Sequence, residues 1–219
     1  DVIIDGYSPW KRNHEYLRNV AIVMGQKNQL WWDIPASESF LLNKHIYNID
    51  EKQYQTTLNE LVELLDVKEK IDVQVRRLSL GERMKMEIIA ALLHNPSIVL
   101  LDEPTLGLDV ISQSKVREFV KYYNEINNTT FVITSHYTKD IQEMCKRVFV
   151  LHKGESVYDG NFNTLINNVN PKRKLVFQFR NLPDNNSVNN LLSNFEYNIN
   201  GNILTSFLPE EELQLLLKT

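Results

Sequence analysis

The sequence predicts an α/β fold: a mostly parallel sheet with a helical subdomain over about residues 36–96, then a small α+β appendage over 172–219. Three observations carry this reading. The short apolar runs Ile98–Leu101, Phe131–Thr134 and Val148–Leu151 each follow a helical or polar stretch, as strands buried on both faces of a parallel sheet do. Between Pro35 and about Asn95, apolar residues recur at helix spacing. Past Gly160 asparagine becomes frequent, and Pro171-Lys172-Arg173-Lys174 reads as a linker between residues 1–165 and 172–219.

The elements follow in order. Asp1-Val2-Ile3-Ile4-Asp5-Gly6 reads as a strand running into a turn. The run Val20-Ala21-Ile22-Val23-Met24 reads as a buried strand leading into Gly25-Gln26. Leu58, Leu61, Val62, Leu64 and Leu65 form one apolar helix face, and Ser79–Leu93 forms a second amphipathic helix around Met84, Met86, Ile88 and Ala91. In the appendage, Lys174–Arg180 alternates like a strand and Ser187–Phe195 reads as a helix. Tyr197–Leu208 reads as a hairpin turning near Asn200-Gly201, and Glu210–Leu217 as a last helix.

Composition narrows the functional classes. The chain has 219 residues, 42% hydrophobic and 24% charged, the balance of a globular chain with a real core. A net charge of −4 argues against nucleic-acid binding through a basic face. The single cysteine, Cys145, excludes an internal disulfide and fits a small buried hydrophobe. No apolar run approaches the ~18–20 residues needed to span a bilayer, so a membrane role requires a partner that supplies the membrane segments.

Four polar motifs lie between residues 78 and 136. Ile98-Val99-Leu100-Leu101 delivers Asp102 and Glu103, followed by Pro104, to the carboxyl edge of a sheet, where α/β folds place ligands. Leu78-Ser79-Leu80-Gly81-Glu82 opens a helix whose free N–H groups and dipole attract phosphate, while Ser79-x-x-Glu82 is equally a capping box. Leu106-Gly107-Leu108-Asp109 places Asp109 as an N-cap, and Ser135-His136 ends a strand. His14, His45, His94 and His152 read as structural or solvent-exposed. Paired tryptophans, Trp31 and Trp32, occupy a loop-like segment and serve equally as exposed anchor or as core.

Taken together, in this order and spacing, the motifs resemble the signature motif, Walker B, D-loop and switch histidine of an ABC-type ATPase. The resemblance covers roughly residues 1–160 and implies a P-loop NTPase-like ABC ATPase core. One expected motif is absent. G-x-x-x-x-G-K-[ST] needs two glycines five apart, and none of the seven glycines (6, 25, 81, 107, 154, 160 and 201) are so placed. With Asp1 in place of Met, this leads us to expect an N-terminally truncated chain that lacks Walker A and is inactive alone.

The resemblance implies roles by position. Asp102 would hold Mg²⁺ and Glu103 would polarise the attacking water, with His136 sensing the γ-phosphate. Gln26, with Gln29 as second choice, matches the Q-loop glutamine that contacts Mg²⁺ and the water. Ser79 and Gly81 would meet the γ-phosphate of an ATP shared with a second, head-to-tail ATPase subunit. Asp109 would reach across that dimer. Leu80 and Glu82 depart from the usual Leu-Ser-Gly-Gly-Gln. Trp31 and Trp32 lie where the family faces an integral membrane permease. The form Arg77–Arg83 and the appendage look like ATP-binding subunits of ABC-2-type exporters, peripheral on the cytoplasmic face of the membrane. Two alternatives stand beside this: a non-catalytic partner module supplying signature and D-loop in trans, and a soluble non-transport ABC ATPase.

Overall fold

The structure, a computed structural model, describes residues 2–25, 27–169, 172–180 and 196–209. Two compact units are present, Asp1–Cys145 and Lys146–Thr219.

The first unit is organised on a three-stranded parallel sheet. Strand β1 (Val20–Met24) pairs with β2 (Ile98–Asp102), and β2 with β3 (Thr130–Thr134). The register aligns Val23 with Leu101 and Leu101 with Ile133. Because side chains alternate across a strand, Ala21, Val23, Val99 and Leu101 point to one face and are buried, with Phe131 and Ile133 packed beside them. That face is covered by helix α4 (Leu80–Leu92) and helix α5 (Val110–Asn127), through residues such as Ile88, Ile89, Val116, Phe119 and Tyr123. The opposite face carries Ile22, Leu100 and Val132 in one register row, and Ile22 and Val132 are exposed.

Helix α1 (His14–Asn19) leads into β1, with Asn13 capping it by accepting from the Glu15 N–H. Helices α2 (Ala36–Tyr47) and α3 (Glu51–Leu64) join α4 to form the helical part of this unit. Buried Phe40, Tyr54, Leu58, Leu61, Leu65, Met86 and Leu93 share one core with the sheet. Asp50 caps α3 by accepting from the Gln53 N–H. Helix α6 (Thr138–Met144) follows β3 after a short loop.

Two local expectations are corrected here. Residues 2–6 do not make a strand. Asp5 and Gly6 both take positive φ, 50° and 79°, and Ile4 and Tyr7 close a single antiparallel bridge across them. That is a tight two-residue turn of the type that asparagine, aspartate and glycine favour. Val148–His152 (β4) is a strand, but it pairs antiparallel with β5 (Glu155–Gly160) rather than joining a parallel ladder. Lys153 and Gly154, at φ 50° and 84°, form the same kind of hairpin turn and turn the chain straight back.

The second unit continues with helix α7 (Phe162–Val169) and a sheet ordered β6-β8-β7, from β6 (Lys172–Gln178), β7 (Tyr197–Asn200) and β8 (Ile203–Pro209). Leu204 and Leu208 are its fully buried centre, flanked by Leu175, Phe177, Tyr197 and Ile199. The hairpin turns at Gly201, whose φ is 59°. The helices expected over 187–195 and 210–217 lie outside the described residues.

Candidate functional site

Strand β2 ends in Asp102, with Glu103 next, at the carboxyl edge of the parallel sheet. The aliphatic run fixes this placement, since Val99 and Leu101 are each 1% exposed and anchor the strand. Thr134, the last residue of β3, stands opposite in register. Its hydroxyl donates to Asp102 Oδ1 at 2.6 Å and accepts from the Glu103 N–H at 3.1 Å. One neutral side chain thus orients both acidic residues. Glu103 itself adopts left-handed backbone, φ 52°, which few non-glycine residues do.

His136 holds the Glu103 carboxylate at two points. Its backbone N–H donates to Oε2 at 3.2 Å, and its Nε2 lies 3.2 Å from Oε1. The glutamate side chain is largely buried and the imidazole largely exposed. The arrangement therefore presents a fixed carboxylate beside a ring that solvent or a ligand can reach.

Across the edge, Gly25 donates its N–H to the Asp102 carbonyl at 2.8 Å. A Cβ at Gly25 would stand 3.0 Å from that carbonyl and nearer still to the Glu103 carbonyl, so only glycine allows β1 to end this close to β2. Gln26 follows directly but lies outside the described residues. Beyond it, buried Glu87 of α4 reaches back and accepts from the Gln29 N–H at 2.9 Å and the Leu30 N–H at 3.2 Å. Burial pushes the Glu87 carboxyl up, and these two donors oppose that shift.

A second group forms where α4 and α5 begin. Ser79 caps α4 in a reciprocal box: Ser79 Oγ accepts from the Glu82 N–H at 3.2 Å, and Glu82 Oε2 accepts from the Ser79 N–H at 2.8 Å. Glu82 also pairs with Lys70 at 3.1 Å, and the Ser79 N–H, then Lys70, hold its carboxyl below the usual range. Asp109 caps α5, accepting from the Ser112 N–H at 2.9 Å and the Ser112 hydroxyl at 2.7 Å. Those bonds hold its carboxyl low. Gly81 brings the two helix starts together, since a Cβ there would lie 3.6 Å from Asp109 Oδ2. Leu80 rests over Gly107, whose own added Cβ would be 3.1 Å from Leu80 Cδ2.

The structure thus brings Asp102, Glu103 and His136 together at the sheet edge, and Ser79, Gly81, Glu82 and Asp109 at paired helix starts. Among the described residues no three His, Cys, Asp or Glu side chains are grouped to hold a metal ion. One carboxylate, Asp102, beside a hydroxyl fits Mg²⁺, which keeps several waters and takes further oxygens from phosphates.

Sequence reasoning did not find Thr134, nor a buried hub at Asp140. Asp140 is fully buried and accepts from Arg117 Nη1 at 3.0 Å, from Ser135 Oγ at 2.7 Å and from Thr105 Oγ1. These partners lie 5, 23 and 35 residues away in the chain, so no local pattern announces them. Trp31 and Trp32 are 63% and 44% exposed, and the Arg83 guanidinium lies 5.4 Å from the Trp32 ring. No helix among the described residues is long and apolar enough to cross a membrane.

Comparison with known proteins gives the following similarities. Residues 1–106 match the family model described as ABC transporter. The chain is 27% identical over 164 residues to the ABC transporter ATP-binding protein NatA of Bacillus subtilis (strain 168), covering 75% of this chain and 66% of that one. It is 28% identical over 162 residues to the bacitracin transport ATP-binding protein BcrA of Bacillus licheniformis, covering 74% and 52%. The chain therefore spans between about half and two-thirds of these relatives' length. Among solved structures, cbiO1 from Clostridium perfringens, part of the ABC transporter complex cbiONQ, superimposes with a TM-score of 0.65 at 21% identity, over 75% of this chain and 66% of that one. The fold is that of the P-loop ABC ATPase core.

Proposed function

We propose, from the premise that residues 1–106 belong to the ABC transporter family, that this chain is the ATP-binding and hydrolysing subunit of an ABC exporter. In this reading, closure of a head-to-tail pair of such subunits drives a membrane permease. The observation that carries it is the Glu103 carboxylate held by His136 beside Asp102, at the carboxyl edge of a parallel sheet. Phosphoryl transfer asks the protein mostly for positioning and charge stabilisation, and the fixed Glu103–His136 contact supports the positioning part.

In this reading Asp102 and Gln26 would hold Mg²⁺, which would offset charge on the phosphate oxygens. Bound MgATP supplies the electrophilic phosphorus. Glu103 orients the attacking water and accepts its proton, and His136 keeps the glutamate aimed while its exposed ring meets the γ-phosphate. Ser79 and Gly81 serve the nucleotide of the partner subunit, so the capping bond from Ser79 opens when phosphate engages. Glu82 stays at the helix start as a counter-charge, and Asp109 reaches toward the second subunit.

The permease is proposed to dock near Trp31 and Trp32. Their exposure supports this, as does a cavity of about 190 Å³ lined by Ala21, Leu30, Trp31, Leu42, Asn43 and Tyr47. Such docking would place the chain on the cytoplasmic face of the membrane. The ATPase part is proposed to run to about residue 165 and the appendage from 172, a boundary of composition distinct from the compact division after Cys145.

The test is ATP turnover with a strand, phosphate loop and helix joined ahead of Val2. The reading expects steady hydrolysis that Glu103→Gln lowers on the order of 10²–10⁴-fold while ATP stays bound. Hydrolysis at an unchanged rate in that variant would remove Glu103 from the role. The 219-residue chain alone should turn over essentially no ATP, because it lacks the phosphate-binding motif, and a Glu103-dependent rate from it would overturn that expectation. One second reading, a module that supplies Ser79 and Asp109 in trans, rests on the paired helix starts that hold these two residues close. Stimulation of an intact ABC subunit by both wild type and Glu103→Gln would select it.

A further inference from the structure

Asp140 is fully buried, yet nothing in the proposed chemistry uses it. It draws donors from three segments: Thr105 in the loop after β2, Arg117 on α5, and Ser135 in the loop that carries His136. Arg117 is 3% exposed, so its pair with Asp140 is taken out of water, and its Nε also lies 2.8 Å from the Glu143 carboxylate on α6. Ser135 Oγ donates to Asp140 and also accepts from the Tyr137 N–H at 3.0 Å, which fastens both sides of His136. The His136 N–H, between these two fastenings, donates to Glu103.

We propose that Asp140 is the positioning residue of the Glu103–His136 pair: through Ser135 it fixes the loop 135–137 to α5, the helix that starts at Asp109. Glu103 is then aimed by a chain of contacts that reaches the buried Arg117 on α5, and a shift of α5 carries His136 with it. The meaning of this for turnover rests on the function proposed above, but the coupling itself does not, and its test needs no nucleotide.

The measurement is amide hydrogen exchange by NMR on the 219-residue chain, comparing His136 with Leu101 in the central strand. Ser135→Ala keeps the Arg117–Asp140 pair and so should fold. It should speed exchange at His136 by about tenfold or more without altering Leu101, and Ser135→Thr, which keeps the hydroxyl, should restore the wild-type rate. Asp140→Asn should speed His136 in the same way; if it fails to fold, the serine variants decide. In the Glu103→Ala background, which removes the acceptor of the His136 N–H, Ser135→Ala should add nothing at His136, because both act on one contact. An unchanged His136 rate in Ser135→Ala, or additive effects in the double variant, would overturn the proposal. If ATP turnover failed its own test while these exchange results held, only the functional reading would fall.

Discussion

Gly81 packs so closely on Ser112 that a Cβ on the glycine would stand 2.7 Å from the serine Cβ, and nearer still to its hydroxyl oxygen. Both belong to helix starts, so the contact holds the first turn of α4 against that of α5. Gly81→Ala should destabilise the chain by about 1–3 kcal/mol through overpacking, read by urea unfolding. Ser112→Gly in the same chain should recover most of that loss. If the single variant kept full stability, the two helix starts would not be in contact in solution.

The capping box at Ser79 gives a pH signature. Glu82 titrates below its ordinary value because it accepts from the Ser79 N–H and faces Lys70. Its stabilising contribution is therefore fully present above the ordinary carboxylate value of 4.5, and is lost as pH falls through the lowered folded value. Melting temperature should drop more steeply below pH 4.5 in wild type than in Glu82→Gln. Ser79→Ala should also cost about 1 kcal/mol at neutral pH. Parallel curves for wild type and Glu82→Gln would exclude the reciprocal bond.

His94 also loses stability on acidification, but through burial rather than a bonded carboxylate. It stacks on Tyr47 with ring centroids 3.8 Å apart, and neither ring nitrogen has a hydrogen-bond partner among the described residues. Burial pushes its pKa down from 6.5 to about 4. The unfolded chain thus binds the proton first, so stability should fall as pH drops from 6.5 toward 4, by on the order of 3 kcal/mol. His94→Phe keeps the stack and removes the titration. The difference between the two unfolding profiles should grow across that window and level off below it, whereas a constant difference would mean that His94 is solvated.

Trp31→Ala should change unfolding free energy by less than about 0.5 kcal/mol, the usual range for an exposed side chain. Trp32→Ala should cost somewhat more, about 0.5–1 kcal/mol, because Arg83 lies over its ring. Chemical denaturation of both variants would decide it. A loss above about 2 kcal/mol at Trp31 would place that ring in packing rather than at a docking surface.

Some of this architecture was legible in the sequence for identifiable reasons. Ile98–Leu101 reads as a strand because four aliphatics in a row have no other economical burial. Ser79–Glu82 and Asp109 read as caps because capping is a local interaction three residues long. Where the outcome depended on distant partners, the sequence was silent. Thr134 is merely the last residue of an apolar run until Asp102, 32 residues earlier, appears beside it. Asp140 looks like a surface residue of a short helix until Arg117 is seen to be buried with it. Val148–Leu151 resembles Ile98–Leu101 in composition, and it was the turn at Lys153-Gly154, not the strand, that set its partner. The opening residues were misread for a related reason, since Asp5-Gly6 supplied a tight turn where a strand end was expected.

The left-handed backbone at Glu103 has an evolutionary reading. A side chain other than glycine in that region is held against a preference of roughly 1–2 kcal/mol, at a residue whose carboxylate the proposed chemistry cannot spare. Libraries of this chain sorted only for heat resistance should therefore drift toward glycine or asparagine at 103. Those sorted for turnover, with a phosphate loop supplied, should keep glutamate and gather their stabilising changes elsewhere. Position 103 would then mark where robustness and work come into conflict within one residue.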